Sequence, residues 1–562
     1  MVTASSPLTD TNFLQMIKKI IVPLIFLVAQ TNLVFAMNTE DKNTQDKNRP
    51  NIVIILADDL GFADIGSYGA EINTPNLDRL ADNGLRMTQF YSTARCSPSR
   101  ASLLTGLYPH QAGISVLDGD WGIPEYQGYL SKNSVTLAEV LNDAGYNSYI
   151  SGKWHVGKDE GHWPLDRGFE RYYGLIDGAS NFYKNIDYRD PDQIRGQTFL
   201  LDNQPYDIPA TSEEQWRNNE GYHMTDAFTD YALKFLDYHD TDQPFFLYLP
   251  YTAPHWPLHA FPKDIDTYRG MYDVGWDSIK TLRYEKQIEL GIIDPSTPLA
   301  PNSDWVDNWE DASEERRKNW TREMELYSAM VDHMDQNIGR VIEKLKEIDQ
   351  FENTLILFMS DNGACHTTPS FPWMDGEPGG PNSFPTYGYE GAEVGNVPFR
   401  MWKQFTHEGG IASPFIAHYP DLISPGILNR EDSAHLIDLM PTIIDLAGAR
   451  YPAERNGHSI TPMAGISLVS IFEGGNITRN DPIYFEHQGN RAVRDGEWKL
   501  VSARFDLEWE LYNVKADPTE LHDLSESHPD ILKYYIDKYN AWAEENNILP
   551  YPELQQLMRT NR

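Results

Sequence analysis

Three stretches of the chain are apolar without alternation: residues 51–57 (NIVIILA), 245–249 (FFLYL) and 354–359 (TLILFM). A strand with one wet face alternates, so unbroken runs of this length predict strands covered on both faces, as in a parallel sheet. Each run is followed by polar residues: Asp58-Asp59 after the first, His255 shortly after the second, and Ser360-Asp361-Asn362-Gly363 after the third. Between the second and third, Leu326, Met330, Met334, Ile338, Val341, Ile342 and Leu345 recur on one face of a helix. Strands alternating with helices predict an α/β fold, a large, mostly parallel sheet flanked by helices. Such sheets hold ligands beyond the carboxyl ends of their strands, where these polar residues gather.

Near residue 480 the texture changes to short strand-like pieces, 483–486, 491–493, 498–502 and 510–512, with Asp495-Gly496 as a hairpin turn and a helix over 530–545. These predict a small antiparallel sheet plus helix, and a division into 37–479 and 480–562. Residues 366–400 are rich in Gly, Pro and aromatics without periodicity, which predicts a long ordered loop. At the other end, Lys18 and Lys19 precede the apolar residues 20–29 and then Val34-Phe35-Ala36, the form of a secretory signal with a small-x-small cleavage site. Residues 1–36 are therefore read as a leader, with translation starting at Met16. The mature protein is expected to be exported, periplasmic or secreted, without a stable membrane anchor, since no other stretch approaches about 18 apolar residues.

The 46 Lys+Arg against 83 Asp+Glu give a formal charge of −37, a surface field that repels nucleic acid and anionic lipid. An anionic substrate would need a local cationic pocket. An exported chain with two cysteines, Cys96 and Cys365, would by default join them in a disulfide. The sequence around Cys96 assigns that residue elsewhere. Cys96-Ser97-Pro98-Ser99-Arg100, running on to Gly106, reads as a short helix with Cys96 at its N-terminus, where free N–H groups and the helix dipole favour an anion. Arg100 lies one turn below. Asp58, Asp59, Asp361 and Asn362 offer oxygen ligands alone, which suits a hard cation rather than zinc. Lys153 and His155, two apart after a strand, would point the same way if extended and converge on one anion.

Cys96-x-Pro98-x-Arg100 resembles the sequence that type I sulfatases use to convert the cysteine to Cα-formylglycine. In the same order follow or precede it Ala57-Asp58-Asp59-Leu60-Gly61, Thr74-Pro75-Asn76-Leu77-Asp78, Gly145-Tyr146, Gly152-Lys153-Trp154-His155, Ala253-Pro254-His255, Ser360-Asp361-Asn362-Gly363 and Glu408-Gly409-Gly410. The chain is thus similar, from about residue 50 onward, to the arylsulfatase-like branch of the alkaline phosphatase superfamily. Zinc-dependent members of that superfamily place a His where this chain has Asn362. The resemblance implies hydrolysis of sulfate esters by a formylglycine made from Cys96. It also implies one Ca²⁺ on Asp58, Asp59, Asp361, Asn362 and the converted Cys96, and sulfate contacts from Lys153, His155 and Lys403. Lys403 departs from the family pattern, with Trp402 and Gln404 where smaller residues are usual. Arg100 would orient residue 96, His155 would hold it, and His255 would protonate the leaving oxygen, with His259 a neighbour. A formylglycine-generating or anaerobic maturating enzyme is the implied partner. The expected substrate is a sulfated polysaccharide fragment, with Phe371, Trp373, Phe384, Tyr387 and Tyr389 as candidate sugar-packing rings. An aryl sulfate, or a phosphonate or phosphodiester, is the alternative, and a catalytically silent polysaccharide-binding protein the rival from another class.

Overall fold

The computed structural model describes Met1 and residues 49–117, 119–186, 198–371 and 374–560. Residues 2–36 of the proposed leader and Trp373 lie outside these residues. The chain forms two units, Met1–Arg49 and Pro50–Arg562, and every described strand and helix belongs to the second.

The main sheet of that unit contains β1 (Asn51–Ala57), β2 (Leu85–Tyr91), β3 (Asn147–Ser151), β4 (Arg171–Leu175), β5 (Phe199–Leu201), β6 (Gln204–Pro205), β7 (Phe245–Pro250), β8 (Thr354–Ser360), β9 (Ala412–His418), β10 (Ile427–Asn429) and β11 (Ala434–His435). They run in the order β10-β2-β9-β8-β1-β7-β3-β4-β5-β6, with β11 on β2. β1 is central and parallel to both β7 and β8, so the three apolar runs lie side by side. Every residue of β1 is buried. Val53, Ile55 and Ala57 enter one core and Ile52, Ile54 and Leu56 the other, the period-2 division expected of a strand between two helical layers.

The principal helices are α1 (Cys96–Thr105), α2 (Met224–Asp237), α3 (Trp276–Glu289), α4 (Glu314–Glu347), α5 (Gly388–Gly395), α6 (Pro529–Glu545) and α7 (Tyr551–Thr560). α4 buries the predicted apolar face from Leu326 to Leu345. Its start is held by the Ser313 side chain accepting from Arg316 N–H, with Glu314 and Glu315 in the first turn and Lys344 and Lys346 in the last, all favourable to the dipole. α5 corrects the expectation of a continuous loop over 366–400. A helix reading GYEGAEVG, with three glycines, carries little periodic signal, and its burial rather than its propensity sustains it.

β12 (Glu454–Arg455) and β13 (His458–Ser459) form a small ribbon. The last sheet, β14 (Ile483–His487), β15 (Asn490–Asp495), β16 (Trp498–Ser502) and β17 (Glu510–Asn513), is antiparallel throughout. Its predicted hairpin shifts by one residue: Asp495 pairs with Trp498, and Gly496-Glu497 make the turn.

Candidate active site

β1, β7, β8 and β3 run parallel, so their carboxyl ends share one edge, which receives Asp58-Asp59, His255, Asp361-Asn362 and Lys153-His155. β9 runs the other way against β8, with Met359 opposite Phe415, so its start lies at the same edge and brings Lys403 there from the preceding segment. Gly363 and Gly409 meet backbone to backbone: a Cβ on Gly363 would sit 1.9 Å from Gly409 O. That approach and the contacts of Glu408, whose carboxylate accepts from Lys499 Nζ at 2.7 Å, account for the Glu408-Gly409-Gly410 motif as a clamp on the last sheet.

Cys96 begins α1 and is 4% exposed; the helix stops at Gly106 in the left-handed region. No disulfide forms: Cys96 and Cys365 are both free and buried. Burial opposes ionisation of the Cys96 thiol, yet Lys153, Lys403 and His155 together hold it well below its ordinary value. Burial likewise pushes the Cys365 thiol up, to about 11. Arg100, fully buried one turn down α1, donates to Asp361 Oδ2 at 2.8 Å and to Lys153 O at 3.0 Å. Lys153 Nζ donates to Asp58 Oδ2 at 2.6 Å, and Lys403 Nζ to Asp59 Oδ1. His255 Nε2 lies 3.4 Å from Asp59 Oδ2, and its Nδ1 is 2.6 Å from Trp256 O. Burial, assisted by Lys403 and Lys153, lowers the His255 pKa, although Asp59 and Asp58 oppose the shift.

Lys153 and His155 do converge on Cys96, but not as an extended pair. β3 ends at Ser151, and His155 has φ 57°. Ser97 Oγ donates to His155 O at 2.7 Å and ties this turn to the start of α1. Asp59, Ala94 and Gln404 also have positive φ, so left-handed non-glycine backbone clusters around the pocket. Each such residue costs roughly 1–3 kcal/mol, a strain that accumulates where a site must be shaped. His259 is not part of the pocket. Its Nε2 is 2.9 Å from Ser383 O, its Nδ1 accepts from Phe182 N–H at 3.4 Å, and it serves the core.

The oxygen cluster is charged beyond what its neighbours satisfy. Asp58 Oδ1, Asp59 Oδ2 and Asn362 Oδ1 are buried with no hydrogen-bond partner. Burial and the facing Asp58 push the Asp361 carboxyl well above the usual range, even beside Arg100. Two buried carboxylates with bare oxygens, the neighbouring Asp361 carboxylate and a bare amide oxygen form a donor set that fits a hard divalent cation. Ligand atoms of Asp58, Asp59 and His255 also come within 4.8 Å of one another, a juxtaposition that separated motifs do not reveal.

Of the predicted aromatic residues, Tyr387 is buried and stacked on Tyr327 at 4.5 Å, an anchor of the core. Phe384 packs on Phe371 and on Trp256, the neighbour of His255. Tyr389 joins Trp402, Trp305 and His366 in a wall beside Lys403. Trp305 and Phe505, both exposed, extend that wall and were not foreseen, because each is remote in sequence from every motif.

The sulfatase family profile matches residues 50–449, and the profile of the N-sulphoglucosamine sulphohydrolase C-terminal region matches residues 399–534. The chain belongs to the sulfatase family. It is 34% identical to an uncharacterized sulfatase of Schizosaccharomyces pombe over 90% of this chain and 96% of that one. It is 31% identical to the arylsulfatase of Klebsiella aerogenes over 76% and 92%. The crystal structure of Ps i-CgsB in complex with k-i-k-neocarrahexaose superposes with a TM-score of 0.66 and 26% identity, over 91% of this chain and 97% of that one. This sulfatase is a sulfuric ester hydrolase built on the alkaline phosphatase-like fold, and the family generally uses formylglycine and a metal ion. Among the described residues no helix is long and apolar enough to cross a membrane.

Proposed function

We propose that this sulfatase is a calcium-dependent carbohydrate sulfatase with Cys96 as the precursor of its nucleophile. The observation that carries the reading is the placement of Cys96 at the buried start of α1, facing Lys153, His155 and Lys403. A thiolate is a soft nucleophile poorly suited to sulfate; as a hydrated formylglycine, residue 96 supplies an oxygen nucleophile instead. Asp58, Asp59, Asp361 and Asn362, with the converted residue 96, would hold a Ca²⁺, which when bound would supply positive charge to the sulfate oxygens. Lys153 and Lys403, each already on a carboxylate of that set, bind the remaining sulfate charge. Arg100, braced by Asp361 and Lys153 O, orients the start of α1. The Trp256 carbonyl takes the Nδ1–H of His255 and sets Nε2 on the pocket side; in the imidazolium form, which Asp59 and Asp58 favour, Nε2–H delivers its proton to the departing alcohol. His155 accepts the proton that residue 96 gives up.

Support for a sugar substrate comes from the aromatic wall beside Lys403 and from the likeness to a structure bound to k-i-k-neocarrahexaose. Export by the leader and conversion of Cys96 by a maturating enzyme belong to the same reading. The test is sulfate release by matured enzyme from sulfated oligosaccharides, 4-nitrophenyl sulfate and a phosphodiester. Higher kcat/KM on an oligosaccharide supports the proposal; a preference for the phosphodiester, or for the aryl sulfate over every sugar, refutes it.

A further inference from the structure

Beside the pocket lies a second group of cations that the sulfate chemistry leaves unused. Arg95 immediately precedes Cys96, and its buried Nε has no hydrogen-bond partner. Arg504 is tied to the same loop through Gln404: Gln404 N–H donates to Ala94 O at 2.8 Å, and Arg504 Nη2 donates to Gln404 Oε1 at 2.9 Å. Asn490 fixes the arrangement, donating to Gln404 O at 2.8 Å and accepting from Arg504 N–H at 3.0 Å. Neither arginine forms an ion pair with a carboxylate among the described residues, in a chain with 83 acidic groups. Gln404 thus holds the two segments side by side, so their like charges oppose each other. Burial and Arg95 lower the Arg504 pKa, and burial with Arg95, Arg504 and Lys403 pushes His366 down to about 3. Like charges held together without a counter-ion are costly unless an anion visits them.

An apolar shelf adjoins this pair. Arg504 lies over the Phe405 ring at 5.9 Å, and Phe405 meets Phe505 at 5.9 Å. Phe505 and Trp305, 57% and 50% exposed, are 6.3 Å apart. Trp305 is braced by Tyr389, parallel to it at 6.2 Å, and by Trp402, the neighbour of Lys403. Cations next to exposed aromatic faces match the chemistry of an acidic sugar.

We propose that Arg95 and Arg504 form a second anion subsite for another sulfate or carboxylate of the same glycan, with a sugar ring packed on Trp305 and Phe505. The inference rests on the carbohydrate reading and narrows it to substrates with more than one anionic group. The subsite also resolves how a strongly acidic protein selects a polyanion: the attraction is confined to one place on the surface.

The test is calorimetric binding to the full chain carrying Cys96→Ala, which cannot turn its ligand over. The ligands are disaccharides with one sulfate, with two sulfates, and with one sulfate and a uronate. The second anion is expected to tighten binding about 10- to 100-fold, the usual worth of a charge-assisted hydrogen bond. Adding Arg504→Ala, or Arg504→Gln if the alanine variant folds poorly, should erase that increment while changing monosulfate affinity less than about threefold. Arg504→Lys should restore part of it. The sulfate and uronate arms identify which anion is preferred. Equal weakening of all three ligands, or an increment that survives Arg504→Ala and Arg504→Gln, overturns the subsite. Because binding is read without turnover, failure of the sulfatase chemistry would appear separately, as matured wild-type enzyme that releases no sulfate from the same panel.

Discussion

Asp58 and Asp64 are six residues apart, both wholly buried, and both near a buried arginine, yet their surroundings differ in kind. Around Asp64 every charge is answered. Arg283 donates to Asp64 Oδ1 at 2.5 Å and to both oxygens of Glu71 at 2.8 Å, while Tyr327 OH and Gly61 N–H reach Asp64 Oδ2 at 2.6 and 2.8 Å. Around Asp58 the carboxylates face one another, and Asp58 Oδ1, Asp59 Oδ2 and Asn362 Oδ1 accept nothing. The first cluster is finished as it stands and holds β1 to α3 and α4. The second is complete only with a cation and an anion in place. Burial alone therefore does not separate a structural charge from a functional one; the unfilled acceptor does.

The largest effect that should break the two clusters apart is catalytic. His255→Ala is expected to lower kcat about 10²- to 10⁴-fold, the usual contribution of a positioned general acid, while the thermal midpoint stays level or rises. Arg283→Met should do the reverse. Leaving Asp64 and Glu71 buried without their partner costs about 3–5 kcal/mol in stability by denaturant titration, and kcat per folded molecule should change little. Next comes metal dependence. Calcium at a hundredfold its Kd should stabilise the protein by about 2.7 kcal/mol relative to chelated protein, measured by thermal shift. Asp58→Asn should remove that response, whereas Asp64→Asn should keep it. The last contrast concerns a third buried cluster. His333 sits between Asp226 and Asp264, at 2.9 and 3.2 Å, with His223 alongside, and these carboxylates overcome burial to raise its pKa from 6.5 to about 9. A raised pKa in the folded state contributes stability that is whole below about pH 6.5 and is lost as the pH climbs through about 9. Denaturation midpoints between pH 7 and 10 should fall accordingly, and His333→Gln should flatten that slope.

The strands that deliver the site were legible because a strand buried on both faces writes an unbroken apolar run, and β1, β7 and β8 each do. The helical start at Cys96 and its stop at Gly106 were legible from local backbone chemistry. The extended pairing of Lys153 with His155 was not. The turn there depends on contacts with Ser97 and with the backbone of β4 and β7, which no local pattern encodes. α5 was hidden by its glycines, and the cluster of Arg95, Arg504, Trp305 and Phe505 by sequence distance, since Gln404 joins the segment at Ala94 to Arg504.

Peptide mass spectrometry of Cys96, in protein produced beside a formylglycine-generating enzyme and paired with sulfate release by the same sample, tests the account most directly. A formylglycine nucleophile at residue 96 predicts a mass loss corresponding to thiol becoming aldehyde, turnover in proportion to conversion, and no turnover in Cys96→Ala. Sulfate release by protein whose Cys96 remains a thiol, or by Cys96→Ala, would contradict it.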